Sequence, residues 1–79
     1  MHILFFAQLK DATGCASTEL AAPAPLTSEA LWGALLQKYP ALSTHRRIVR
    51  LAKNSEYVGP DAHFADGDEV ALIPPVSGG

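Results

Sequence analysis

Apolar residues take alternate positions at the start of the chain. Ile3, Phe5, Ala7 and Leu9 fall on one face of an extended segment, and His2, Gln8 and Lys10 fall on the other. This pattern predicts a strand from His2 to Leu9 with its odd-numbered face toward a core. Leu4 and Phe6 then point the opposite way, as candidates for an apolar patch that meets a partner or lies under another element of the same chain. Asp11 to Ser17, with Gly14, reads as a turn, and Thr18 to Ala22 as a short returning strand.

Further along the period changes. Leu31, Leu35 and Tyr39 recur every four residues, and Trp32 and Leu36 widen the stripe, so a helix is expected from about Ser28 to Tyr39. Thr27 or Ser28 can accept a backbone N–H as its cap, Glu29 suits the positive end, and Pro40 cannot continue it. Ile48 to Lys53 is β-branched and apolar enough for a strand, Asn54-Ser55-Glu56 supplies a turn, and Tyr57-Val58 can pair back. Asp66-Gly67-Asp68 marks another turn before a last strand from Glu69 to Ile73, which Pro74-Pro75 stops. The order strand, strand, helix, strand, strand, strand fits an α+β domain: a mixed sheet of about five strands on one main helix, the β-grasp or ubiquitin-like arrangement. Its expected limits are residues 1–75, followed by a flexible tail, 76–79.

The 79 residues suffice for one modest core, and with 48% hydrophobic and 18% charged residues the chain is suited to fold and to keep some apolar surface exposed. A net charge of -2 sets up no field that would gather nucleic acid or an anionic membrane. Cys15 is the single cysteine, which excludes an intrachain disulfide and suits a reducing compartment. The apolar run Ile3 to Ala7 is too short to span a membrane and has no basic segment before it, so a cytoplasmic location is expected.

The tail Pro74-Pro75-Val76-Ser77-Gly78-Gly79 carries the most chemistry. Prolines favour an extended exit, and the two glycines add no side-chain bulk, so the segment can thread a narrow channel in another protein. A terminal carboxylate is an anion at neutral pH and a poor electrophile. Adenylation would give it a leaving group, and a sulfur nucleophile such as a persulfide could then produce a thiocarboxylate at Gly79.

Leu4-Phe5-Phe6-Ala7-Gln8, Asp66-Gly67-Asp68-Glu69-Val70 and Pro74-Pro75-Val76-Ser77-Gly78-Gly79 together resemble the small, sulfur-carrying subunits of molybdopterin synthase, within the ubiquitin-like sulfur carriers that also include the thiamine type. The resemblance spans the chain and is most specific at its two ends. It implies a carrier whose Gly79 is the adenylation site and thiocarboxylate, with Gly78, Ser77 and Val76 inserted into a large catalytic subunit in a heterotetramer of two small and two large chains. It also implies that an E1-like adenylating enzyme using ATP and a persulfide-bearing sulfurtransferase load the tail. The sulfur then goes to cyclic pyranopterin monophosphate to form molybdopterin. The chain would hold no cofactor of its own and would not be catalytic alone. Family members dock through apolar residues of the outer sheet face, and the matching positions are Phe6, Tyr57 and Ile73, with Pro74 and Pro75 beside them. A thiamine-type carrier and a ubiquitin-like protein modifier are the alternative functions.

Other chemistries fit less well. Cys15 lies in a predicted turn with no basic group to lower its pKa. His2, His45 and His63 lack ligand spacing, and Asp61, Asp66, Asp68 and Glu69 lack the calcium-loop ladder, so no metal site is expected. Those acids are expected to shape turns or to meet basic groups of the activating enzyme. His45-Arg46-Arg47 with Arg50 reads as a solvated strand edge or a docking element. Trp32 and Tyr39 sit at helical spacing with leucines and read as core, which leaves base stacking a remote option.

Overall fold

A computed structural model describes residues 1–22 and 24–75 of the chain. Its elements in order are β1 (His2–Phe5), α1 (Gln8–Thr13), β2 (Ser17–Glu19), β3 (Leu26–Thr27), α2 (Ser28–Lys38), a 3₁₀ helix (Pro40–Thr44), β4 (Arg50–Lys53), β5 (Glu56–Tyr57), β6 (His63–Phe64) and β7 (Glu69–Ile73). Five strands form a mixed sheet in the order β2-β1-β7-β4-β5. The first and last strands pair in parallel at its centre, Ile3 opposite Val70 and Phe5 opposite Leu72, while the other pairs are antiparallel. This is the expected β-grasp arrangement, one main helix on a five-stranded mixed sheet.

Alternation decides which face the helix covers. Ile3, Phe5, Leu51, Val70 and Leu72 are buried from the sheet, against Leu31, Trp32 and Leu35 of α2 and with Leu9, Leu42 and Phe64 closing the sides. Each such side chain stabilises the fold by about 1.5–3 kcal/mol relative to an exposed one, against the entropy of ordering the chain. Tyr39 packs at the core edge, its ring edge-on to Phe5 at 5.5 Å, so it and Trp32 are the packing residues their spacing suggested. At the start of α2 the Thr27 Oγ1 accepts the Ala30 N–H at 3.1 Å, as expected of a cap.

Three expectations need correction. The first strand stops at Phe5, because the chain turns at Ala7 with φ +51° and enters α1; Leu9 is buried from that helix, and Ala7 is exposed rather than in the core. Gly14, read as part of a turn, is the left-handed end of α1: at φ +78° its N–H donates to the Lys10 carbonyl at 2.8 Å. The third predicted strand begins at Arg50 rather than Ile48, since the Ile48 and Val49 N–H groups donate to the His45 carbonyl and hold that stretch in turns. Ile48 is left 51% exposed. Besides α1, three elements lay outside the expectation altogether: the 3₁₀ helix after Pro40 and the strands β3 and β6, which form a small antiparallel ladder.

Candidate functional site

The sheet face away from α2 carries the candidate docking surface. Leu4 lies on β1 and Phe6 just past its end, Ala52 on β4, Tyr57 on β5, and Ala71 and Ile73 on β7; together they line one shallow depression of about 290 Å³. Ser55 and Glu69 complete its rim. Phe6 is 43% and Tyr57 59% exposed, a large aromatic surface for a small protein, while Ile73 is half-buried. Parity explains the convergence: Val70 and Leu72 face the core, so Ala71 and Ile73 turn outward, and Leu4 does so opposite Ala71.

The register fixes what surrounds these residues. Ala71 lies between Leu4 on one side and Ala52 on the other, and Ala52 in turn pairs with Tyr57. The small alanines form a floor, and the larger side chains stand around it. Across the β4–β7 ladder Arg50 faces Ile73, and its guanidinium lies 4.7 Å from the centroid of the Tyr57 ring, a cation–π contact that holds the ring at the rim. The Lys53–Glu56 pair closes the hairpin with both central residues, Asn54 and Ser55, at positive φ, as a two-residue hairpin turn of type I′ requires.

That hairpin is tied to the start of β7. The Asn54 side chain accepts the Glu69 N–H at 2.9 Å and donates to the Asp68 carboxylate at 3.1 Å, which also accepts the Ala65 N–H at 2.8 Å. The Ala65 N–H, then the Asn54 amide, with Lys53 adding a smaller attraction, hold the Asp68 carboxyl below its ordinary value of 3.8, against a small opposing effect of burial. Asp66 accepts the Ala22 N–H at 3.0 Å. Asp66 and Asp68 thus shape turns, one of the two roles foreseen for them.

Where the sheet ends, Pro74 is buried and Pro75 exposed, so the exit from β7 is anchored at the edge of the apolar depression, immediately after Ile73. The sites Val76, Ser77, Gly78 and Gly79 lie outside the described residues.

The structure places the remaining candidates as follows. Cys15 is half-buried with its Sγ 3.6 Å from the Tyr39 hydroxyl and 3.7 Å from the Thr13 Oγ1, among neutral groups. His2 pairs with Glu19 on the sheet edge, His63 is exposed, and His45 sits at the end of the 3₁₀ helix. Among the described residues no three His, Cys, Asp or Glu side chains gather as a metal site would need, and no helix is long and apolar enough to cross a membrane. Sequence reasoning missed Ala52, Ser55, Ala71 and Glu69 as members of the depression. Ala71 was within reach of the same parity that turned Ile73 outward, whereas Ala52 depends on which strand lies beside β7.

Residues 3–79 match the ThiS family. The chain belongs to that family. It is similar over its whole length to proteins named molybdopterin synthase sulfur carrier subunit: 38% identical over 79 residues to that of Arabidopsis thaliana, covering 82% of that protein, and 32% identical over 82 residues to that of Homo sapiens, covering 93%. Solved structures of the same shape include SAMP1 from Haloferax volcanii, with a TM-score of 0.82 at 28% identity, covering 99% of this chain and 97% of that one. They also include a complex of subunits 1 and 2 of the molybdopterin-converting factor from Helicobacter pylori, with a TM-score of 0.70 at 25% identity, covering 99% of this chain and 96% of that one.

Proposed function

We propose that the chain is a sulfur carrier subunit of molybdopterin synthase, with the carboxylate of Gly79 as its working group. Full-length similarity to proteins of that name supports the reading. The structural observation that carries it is the position of the apolar depression beside the exit of β7: a partner that covers Phe6, Tyr57 and Ile73 also holds the point from which the tail departs.

The chemistry follows from the tail. An E1-like partner joins the Gly79 carboxylate to the AMP part of ATP and releases pyrophosphate, which converts a carboxylate oxygen into part of a leaving group. The outer sulfur of a persulfide attacks the acyl carbon and expels AMP; a thiol then takes the inner sulfur as a disulfide and frees the thiocarboxylate. Docked on the large subunit in a two-plus-two assembly, the tail delivers this sulfur to cyclic pyranopterin monophosphate. Two sulfurs enter each product, so two loaded carriers, or two rounds of loading, serve each turnover. The cytoplasm, where thiols stay reduced, is the proposed place of action.

The test is intact-protein mass spectrometry after incubation with ATP, an adenylating enzyme and a sulfur donor. The expected result is a mass gain equal to sulfur minus oxygen, located on Gly79; an unchanged mass with enzymes that load another carrier would refute the proposal. A second reading, a protein modifier, is favoured by the similarity to a structure named small archaeal modifier protein 1, with a TM-score of 0.80 at 26% identity. It predicts amide-linked conjugates that survive a denaturing gel and a reductant, and the sulfur-donor reading does not.

A further inference from the structure

A second concavity, of about 470 Å³, opens at the other side of β4, between the start of α2, the 46–50 segment and the stretch after β5. We propose that it is a protein-docking groove for an extended partner segment that alternates acidic and apolar residues, distinct from the outer sheet face. Its volume lies within the range of about 300–1,000 Å³ usual for ligand pockets.

The floor is apolar. Trp32, Val49, Leu51 and Val58 line it, and Pro60 forms part of the wall. Ile48, 51% exposed, stands on the adjacent turn. Such a surface takes apolar side chains, and its rim says which charge comes with them.

All three arginines of the chain fall between residues 46 and 50, although the whole chain carries a net charge of -2. Arg46 and Arg50 border the groove, and Arg47 is exposed between them. The one carboxylate lining it is Glu29, which accepts from Arg46 at 2.8 Å, while the Arg46 guanidinium lies 5.8 Å from the Trp32 ring centroid. Among the described residues neither Arg47 nor Arg50 has a carboxylate partner; Arg50 rests instead on the Tyr57 ring. The rim therefore keeps positive charge available on an otherwise acidic protein, which complements acidic side chains.

The apolar floor favours a peptide over a small free anion, which would bring no apolar contact of its own.

The sole tryptophan, Trp32, lines the groove, so its emission reports on occupancy without a label. The full chain is titrated at low salt with a blocked hexapeptide alternating glutamate and leucine, with its lysine–leucine counterpart, and with inorganic phosphate. Amide NMR shifts are followed in parallel. The proposal expects saturable binding of the glutamate peptide only, shifts centred on residues 46–51 and 58–59, and at least tenfold weaker binding to Arg46→Glu and to Arg50→Glu. Phe6→Asp should leave that affinity unchanged, which separates this groove from the face used in the proposed function. Absence of saturable binding, equal binding of the lysine peptide, the same response to phosphate alone, or shifts centred on Phe6 and Ala71 would each overturn it.

Discussion

The guanidinium of Arg50 lies over the Tyr57 ring, 4.7 Å from its centroid, although the two residues sit on different strands and Tyr57 is 59% exposed. The contact gives an otherwise free aromatic side chain one preferred position at the rim of the apolar depression, which lowers the entropy lost when a partner covers it. Replacement of Tyr57 by Ala should weaken binding to a large synthase subunit about tenfold, or about 1.4 kcal/mol. Arg50→Ala, which removes only a contact worth about 0.5–1 kcal/mol, should weaken it about two- to fivefold. Isothermal titration of both variants against the large subunit checks the order.

Phe6, just past the end of β1, and Ile73 on β7 flank the same depression. A carboxylate at either place would be desolvated against apolar surface without a partner, so Phe6→Asp and Ile73→Asp should each reduce large-subunit affinity about a hundredfold or more. Adenylation of Gly79 should persist in both, measured as ATP-dependent pyrophosphate exchange. Unchanged affinity in both variants would remove the outer face from the docking model.

Removal of Gly79, or addition of one residue after it, should abolish sulfur transfer while leaving thermal unfolding within about 1 °C of the parent, because the stabilising contacts described above lie in residues up to Pro75. A thiocarboxylate assay paired with circular dichroism separates the two effects.

Ser55 sits at φ +74° in the hairpin turn, a conformation that glycine adopts without steric cost. Ser55→Gly should therefore stabilise the protein by about 0.5–1 kcal/mol in urea denaturation, since relief of the left-handed strain exceeds the added chain entropy of glycine. A loss of stability would show that the Ser55 side chain contributes more than its backbone strain costs.

The depressed Asp68 carboxyl makes part of the stability depend on pH. With the folded pKa below the ordinary 3.8, the unfolded chain binds more protons in that region. The contribution is complete above the ordinary value and is lost as pH falls through the lower, folded one. Asp68→Asn, which keeps an acceptor oxygen for the Ala65 N–H, should lose less stability than the parent between pH 5 and about pH 2, read from urea midpoints.

The legible parts of this protein were those recorded locally. The α2 stripe, the cap at Thr27 and the outward turn of Ile73 follow from periods within one element, and the structure reproduces them. The short α1 was hidden because Ala7 and Leu9 continue the strand alternation of Ile3 and Phe5, while Leu9 and Ala12 are the single apolar pair at helical spacing within it. The deciding signal was Gly14 as a left-handed helix end, preceded by the helix formers Gln8, Leu9, Lys10 and Ala12. The β3–β6 ladder of two residues per strand leaves no readable period at all.

For the site the division is similar. Phe6, Tyr57 and Ile73 could be named one by one, but Ala52, Glu69 and the Arg50–Tyr57 contact join them only through the order of the sheet. By itself the sequence determined which face of each strand is apolar, where the main helix starts and stops, and that the tail ends in two residues without side chains, because these are properties of neighbouring residues. The tertiary structure decided that β1 lies parallel to β7, that four strands pool their outward side chains in one depression, and that Arg46 and Arg50 border a second. Strand pairing is a contest among long-range contacts whose loop-closure entropy and shared burial exist only once the whole chain has come together.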